Sequence, residues 1–313
     1  MTHLQLQHSS AVRRWAWLPV FLTAGLFWAA CSKSAPASAS SPAETSAAPS
    51  GTITVEVVAA DPQASTLTVK GPGLPAPDKD DAEVLKVFSG DTQVGYVGHR
   101  IQGELSKSEG VWRLDYIWPA DPAPTGIVAE AANQLSRDLV DLGRRAFRDV
   151  GDTLPAFAFY NQNGEIVRPT NLRGQRLVIN FIFTRCTNRA MCPASSARMV
   201  QLQQAVKKAG IPNVTFVTIS FDPQHDTPGV LRQYGHDYGM DFANYQLLTA
   251  PASEMTPALQ EFGILIRNEN DTLVHSQATM LVSPEGVILF REPGENWTLQ
   301  DFLTRLAPAA PAS

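Results

Sequence analysis

Basic residues are few and unclustered. The chain carries 25 Lys and Arg against 30 Asp and Glu, a formal charge of −5. No basic stripe offers a track for phosphates, which argues against nucleic acid as a partner. Long apolar runs are also missing beyond the first thirty residues, and the one there, Trp15 to Ala30, is short for a comfortable membrane span. Thiols are the scarcest chemical resource, with three cysteines in 313 residues. Stability must therefore come from burial, and 44% hydrophobic content suits one or two globular domains with real cores.

The apolar run follows Arg13 and Arg14, ends in Ala29 and Ala30, and is followed by Cys31. This is the pattern of a signal peptide over 1–30. A cysteine there resembles a bacterial lipobox, in which the thiol is lipidated and becomes the new N-terminus. The alternative is a plain N-terminal anchor with an incidental cysteine. Either reading puts the remainder outside the cytoplasm, and the lipobox reading predicts a lipid anchor on the periplasmic side of a bacterial membrane. Removing 1–30 takes away two arginines and no acids, so −5 becomes −7. Residues 31–51 hold the anchor cysteine and a Ser/Ala/Pro tether with too few large apolar groups to bury a core.

Short alternating runs over 52–120 (ITVEVV, TLTVKG, VLKVFSGD, TQVGYVG, VWRLDYIW) predict a small β-rich module. It has no methionine and only His99. Its faint likeness to β-barrel modules that accompany some bacterial copper proteins, which bind metal through Met and His, thus implies docking or spacing. Tyr96, Trp112, Tyr116 and Trp118 read as core. Residues 121–150 predict a connecting helix, about Thr125 to Arg148, with an apolar stripe of Ile127, Ala131, Leu135, Leu139, Leu142 and Ala146.

Over 151–308 the pattern becomes β-α-β-α-β-α followed by β-β-α. It runs through a hairpin at Asn163-Gly164, buried strands LVINFIF and VTFVTISF, and a final hairpin ATMLVSPEGVILFRE. This is an α/β sandwich. FTRCTNRAMCP, Phe183 to Pro193, falls between the first buried strand and its helix, and cysteines at such a turn imply a thioredoxin-like fold. Five residues separate Cys186 from Cys192, too wide for one face of a regular helix, so a loop must bring the sulfurs together. Cys192 is expected at the cap of that helix, where unpaired N–H groups stabilise a thiolate, with Pro193 suited to the first helical position. Two thiols near each other in an exported chain predict a disulfide, a metal site, or both in turn. Convergent thiolates suit Cu(I), and an added imidazole serves either copper oxidation state.

Of the six histidines, His3, His8 and His99 fall outside this module, and His225 and His236 sit among acids. His275 ends the polar loop NENDTLVHS and is expected to open the strand beside the cysteine strand. Met191, next to Cys192, reads as a loop contact, with a further soft ligand as the alternative.

The segments FIFTRC…CP, ISFDPQHDTPGVLRQY and VHSQATMLVSPEG resemble the Sco/SenC family of copper chaperones. The resemblance implies a thioredoxin-like domain of Sco/peroxiredoxin type and copper ligation by Cys186, Cys192 and His275. It also implies support from Asp222 and Asp226 of the acidic DPxxDTP loop. The family spacing is CxxxCP, and this loop is two residues longer. The implied function is copper delivery to the CuA centre of a respiratory cytochrome c oxidase, or to another copper acceptor. The rival is thiol–disulfide exchange through Cys186 and Cys192 with periplasmic thiol proteins. Peroxidase chemistry ranks low, because Thr184 stands two residues before Cys186 rather than three.

Overall fold

The structure is a computed structural model that describes residues 51–75, 81–143, 147–269, 272–294 and 297–307. The signal-like run, Cys31, the tether, His3 and His8 lie outside the described residues.

The alternating runs build five strands: β1 (Gly51–Asp61), β2 (Thr66–Lys70), β3 (Ala82–Lys86), β4 (Arg100–Ser108) and β5 (Val111–Pro119). They close in the order β1-β2-β3-β5-β4, with β3 and β5 parallel and the other pairs antiparallel. This is the connectivity of an OB-type barrel. Period-two alternation sends Val55, Val57, Leu67, Val69, Ile101, Leu105, Leu114 and Ile117 inward. Trp112 is partly buried beneath the Lys107 ammonium, 5.0 Å from its ring. Tyr96 is buried, whereas Tyr116 departs from the core expectation: it adopts φ +53° at a β4–β5 register shift and is 48% exposed.

TQVGYVG is not a strand. Ser89–Gln93 forms a 3-10 turn, and the chain beyond it runs across to the second module. Val94 and Tyr96 still fill the barrel, but Gly95 N–H donates to the Asn163 carbonyl at 3.3 Å. Glycine at 90, 95 and 98 weakens strand propensity, and docking takes the backbone group a ladder would have used.

Helix α1 (Pro122–Leu142) is shorter at its C-terminus than the apolar stripe predicts. Gly143, at φ +83°, turns the chain out and donates its N–H to Leu139 O. Val128 and Leu135 are buried and Ile127 and Ala131 pack beside them, while Leu142 is exposed and Ala146 lies outside the described residues.

The second module is a seven-stranded sheet, β14-β13-β8-β9-β10-β6-β7. Its strands are β6 (Phe159–Asn161), β7 (Ile166–Val167), β8 (Arg176–Ile182), β9 (Val214–Ser220), β10 (Tyr245–Thr249), β13 (Ala278–Val282) and β14 (Ile288–Pro293). Between β10 and β13 lies a separate hairpin, β11 (Ile266–Glu269) with β12 (Thr272–His275). β8, β9 and β10 are parallel, and the β13–β14 hairpin lies antiparallel beside β8. Helices α2 (Cys192–Lys208), α3 (Pro228–Asp237) and α5 (Leu299–Leu306) share one apolar cluster, in which Met199, Leu202, Leu231 and Phe302 meet Val178, Phe216 and Leu281. Helix α4 (Ala252–Glu261) and α1 share the other, against Ile179, Phe181, Val217 and Ile219. Strands β8 and β9 are therefore buried on both faces, which explains their near-continuous apolar runs. The βαβ unit followed by a hairpin and helix is the thioredoxin-like arrangement.

The barrel and the thioredoxin-like sheet belong to one unit, Ala47–Ser313. Trp118, at the end of β5, packs against the sheet core with its ring 6.3 Å from that of Tyr160. Asp91 in the 3-10 turn is 2% exposed, and its Oδ1 has no hydrogen-bond partner. Burial raises its pKa well above the ordinary carboxylate value, and the nearby Asp115 adds to this, while the Phe88 backbone N–H opposes it. A carboxyl whose folded pKa is raised stabilises fully below its unfolded value and loses that contribution as pH rises through the folded value. Asp91→Asn should therefore raise the melting temperature at pH 8, with a gain that shrinks toward pH 4 in thermal melts at the two pH values.

Candidate metal and thiol site

Strand β8 ends at Ile182 and α2 begins at Cys192, so the FTRC loop leaves the C-terminal edge of the parallel strands. Cys192 is the first helical residue, with Met191 rather than Cys192 in the N-cap position and Pro193 in the first turn. The cysteine is 1% exposed, while Cys186 is partly exposed, and both are free thiols. Burial works against the expected helix-stabilised thiolate at Cys192. Burial pushes its thiol up to about 12, against lowering hydrogen bonds from the Phe183 and Cys192 backbone, while the neighbouring Cys186 raises it further by charge and by hydrogen bonding. Desolvation outweighs the helix terminus because no solvent reaches the sulfur.

Cys186 packs against the core cluster that contains Cys192, so the two cysteines come together despite the wide spacing. The extra loop length is taken up around Asn188. Its Oδ1 accepts from Ala190 N–H at 3.1 Å, its carbonyl accepts from Met191 N–H at 3.0 Å, and the Cys186 thiol lies 3.8 Å from the same carbonyl. Asn188 escaped the sequence reading, although asparagine is a common former of such side-chain turns. Gln277 was also missed: its Nε2 approaches Cys192 Sγ at 3.8 Å. Position gives the only signal for it, two residues after the histidine.

His275 does not open β13. It ends β12, and Ser276 and Gln277 lead into β13. Its ring lies 4.4 Å from that of Phe221 and 5.7 Å, edge-on, from that of Phe183. Nδ1 is 3.2 Å from the Ser276 carbonyl. A carbonyl only accepts, so Nδ1 carries the proton and the acceptor lone pair falls on Nε2. The imidazole thus stands at the cysteine end of the sheet, one phenylalanine away from the loop. Among the described residues, no three His, Cys, Asp or Glu side chains converge closely enough to hold a metal ion as they stand.

Asp222 and Asp226 do different work from metal ligation. Asp226 is 0% exposed and accepts from Thr184 N–H at 3.0 Å, Thr184 Oγ1–H at 2.5 Å and Ser220 Oγ–H at 2.5 Å. Asp222, also buried, takes Arg185 in a bidentate pair, with Nε at 2.5 Å and a terminal nitrogen at 3.2 Å. The acidic loop therefore grips the two residues immediately before Cys186. Burial raises the Asp226 pKa, and its three hydrogen bonds only partly offset this. His225 lines a cavity toward the barrel, and His236 lies 3.8 Å from Asp237 on the surface.

A parallel βαβ unit closed by an antiparallel hairpin, with a thiol pair at its strand-to-helix turn, defines a thioredoxin-like protein. Comparison with known proteins narrows this further. The SCO1/SenC family profile matches residues 146–303, and the chain belongs to that family. The SCO1 protein homolog of Bacillus subtilis (strain 168) is 31% identical over 159 residues, covering 49% of this chain and 81% of that one. A SCO2-like protein of Rickettsia prowazekii is 28% identical, covering 42% of this chain and 64% of that one. The crystal structure of a SCO1/SenC family lipoprotein from Bacillus anthracis str. Ames superposes with a TM-score of 0.47 and 28% identity, covering 51% of this chain and 97% of that one.

The Asp226 clasp generates a stability prediction. Asp226→Ala leaves two hydroxyls and one N–H without their acceptor and should cost about 3 kcal/mol. Because the folded pKa is raised, the wild-type group contributes most below its unfolded value. Urea unfolding should therefore show a larger deficit for the variant at pH 4 than at pH 8.

Proposed function

We propose that the chain is an extracytoplasmic copper metallochaperone that loads the CuA centre of cytochrome c oxidase, held at the periplasmic side of a bacterial membrane by lipid on Cys31. The observation that carries the reading is the packing of Cys186 against the cluster that holds Cys192 at the β8–α2 turn, with His275 at the same end of the sheet.

Copper here is cargo. Two thiols and an imidazole form a soft donor set suited to Cu(I), and the nitrogen also admits Cu(II). Cys186, partly exposed, is the sulfur a partner protein reaches first. Cys192, enclosed at the start of α2, completes the dithiolate from below. His275 is the third ligand, and approach of the β12 end across Phe183 completes the set. Asp222 and Asp226 hold the loop in register rather than touching the metal. The acceptor is the CuA-bearing subunit or another copper-binding protein.

One observation favours a second role, as a thiol–disulfide oxidoreductase. The pair is asymmetric, with one accessible and one enclosed sulfur. Cys186, as thiolate, attacks a partner disulfide and releases one partner thiolate. Cys192 then loses its proton and attacks the mixed disulfide at Cys186, releasing the second. Two electrons pass to the partner, which becomes a dithiol, and Cys186–Cys192 becomes the disulfide. Such exchange with periplasmic thiol proteins prepares acceptor cysteines for copper and needs no histidine.

The reduced chain should bind one Cu(I), and Cys186→Ser or Cys192→Ser should nearly abolish binding. The Cys192 proton, held to about 12, must leave when copper binds. The Cys186 proton leaves as well, so affinity should rise by at least about tenfold per pH unit between pH 6 and 8. His275→Ala should weaken copper binding, Cu(II) most, yet leave the thiols cycling with a dithiol reductant. Oxidase activity of cells carrying His275→Ala at limiting copper decides between the roles: loss supports delivery, and normal activity moves the function to thiol exchange.

A further inference from the structure

The acidic loop that grips the cysteine loop runs directly into α3: Asp222 and Asp226 precede Thr227, its N-cap residue, and Pro228, its first residue. The barrel is seated on that helix start. A Cβ at Gly90 would lie 1.9 Å from the Gly229 carbonyl oxygen, and a Cβ at Gly229 would lie 2.0 Å from Asp91 Oδ1 and 2.8 Å from Asp91 N. Real Cβ contacts do not come this close, so glycine is required on both sides. Ser89 Oγ–H donates to Gln233 Oε1, one turn further along α3, at 3.0 Å. Beside this ledge, Tyr116 at the β4–β5 bulge lines cavities that it shares with Pro223, Gln224 and His225 of the acidic loop. Barrel residues thus bear on this loop both at the helix it feeds and along its own length.

We propose that the barrel positions the cysteine loop: the Gly90-Asp91 ledge fixes the start of α3, and Asp222 and Asp226 pass that position to Arg185 and Thr184. The connection is short. Gly229 is three residues from Asp226, and Leu231 N–H bonds Thr227 O at 3.0 Å within the first helical turn. Asp226 then meets Thr184, two residues before Cys186. Gly90 and Gly229 are positioning residues, since neither touches a sulfur. The barrel is thereby a device that sets the geometry and access of the thiol pair, and a partner that pulled on it would alter both. This inference rests on the Cys186–Cys192 loop as the working site and holds whether that site carries copper or electrons.

The test uses the full chain, reduced and without metal, and compares Gly229→Ala with Gly126→Ala, whose added Cβ meets open space on α1. Two quantities are read: hydrogen exchange of the Thr184 amide, and the rate of Cys186 alkylation by iodoacetamide. Gly229→Ala should speed Thr184 exchange by about tenfold or more and shift Cys186 alkylation by about threefold or more, while Gly126→Ala leaves both unchanged. Barrel-core amides such as Leu67 and Leu85 should keep their protection. A Thr184 amide and a Cys186 rate that do not move overturn the inference, whether or not the 3-10 turn loosens. If Gly229→Ala does not fold, the double variant Ser89→Ala with Gln233→Ala is read by the same two quantities and the same criteria. Neither readout involves copper or a partner, so failure of the copper reading leaves this test intact.

Discussion

Asp226 is the hinge on which the functional end of the molecule turns. A fully buried carboxyl is costly unless its oxygens are occupied, and here three donors fill them: the Thr184 N–H, the Thr184 hydroxyl and the Ser220 hydroxyl. Ser220 closes β9, Thr184 lies just beyond the end of β8, and Asp226 stands two residues before α3. One side chain thus ties together two central strands, the loop that carries Cys186 and the helix that carries the barrel. Asp222 repeats the device one residue nearer the thiol, through Arg185. The same bond answers the peroxidase alternative. The Thr184 hydroxyl is committed to Asp226 rather than presented to a thiolate, so it does not serve as the donor such chemistry requires.

The widened cysteine spacing is accommodated by local chemistry. Asn188 supplies both a side-chain and a main-chain acceptor inside the loop, and the loop closes on itself before α2 begins. The helix then starts at Cys192, with its sulfur buried, so the two thiols become neighbours with unequal access. That inequality governs both candidate roles. An enclosed thiol with a raised pKa is a poor initial nucleophile and a good second partner, whether the first is a partner's sulfur or a metal ion already held by Cys186.

Most of the α/β module was legible in the sequence because its signals are local. The runs LVINFIF and VTFVTISF are apolar throughout since two layers of helices cover β8 and β9. Asn163-Gly164 marks a hairpin because Gly164 adopts φ +77°. What was illegible depends on partners distant in the chain. TQVGYVG has the composition of a strand, yet Gly95 spends its N–H on the Asn163 turn, and Gly90 just before the stretch lies against α3. The hairpin of β11 and β12, which places His275, is short and polar, and reads as loop. The ionisation of Cys192 could not be read either, since helix position and burial act in opposite directions and only the packed structure decides between them.

The relation between the two modules follows from those same illegible features. The barrel contains no methionine, and its only histidine, His99, is paired with Asp121 at 2.7 Å. Its chemistry is therefore spent on contact. Three glycines, Gly90, Gly164 and Gly229, lie where barrel and sheet approach most closely, and a Cβ at any of them meets the other module at 3.0 Å or less. A tether between independent domains needs no such fit, because mobile surfaces tolerate side chains. Close packing without Cβ atoms is what a fixed orientation demands, and the element fixed by it is the helix whose preceding loop holds the cysteines in place.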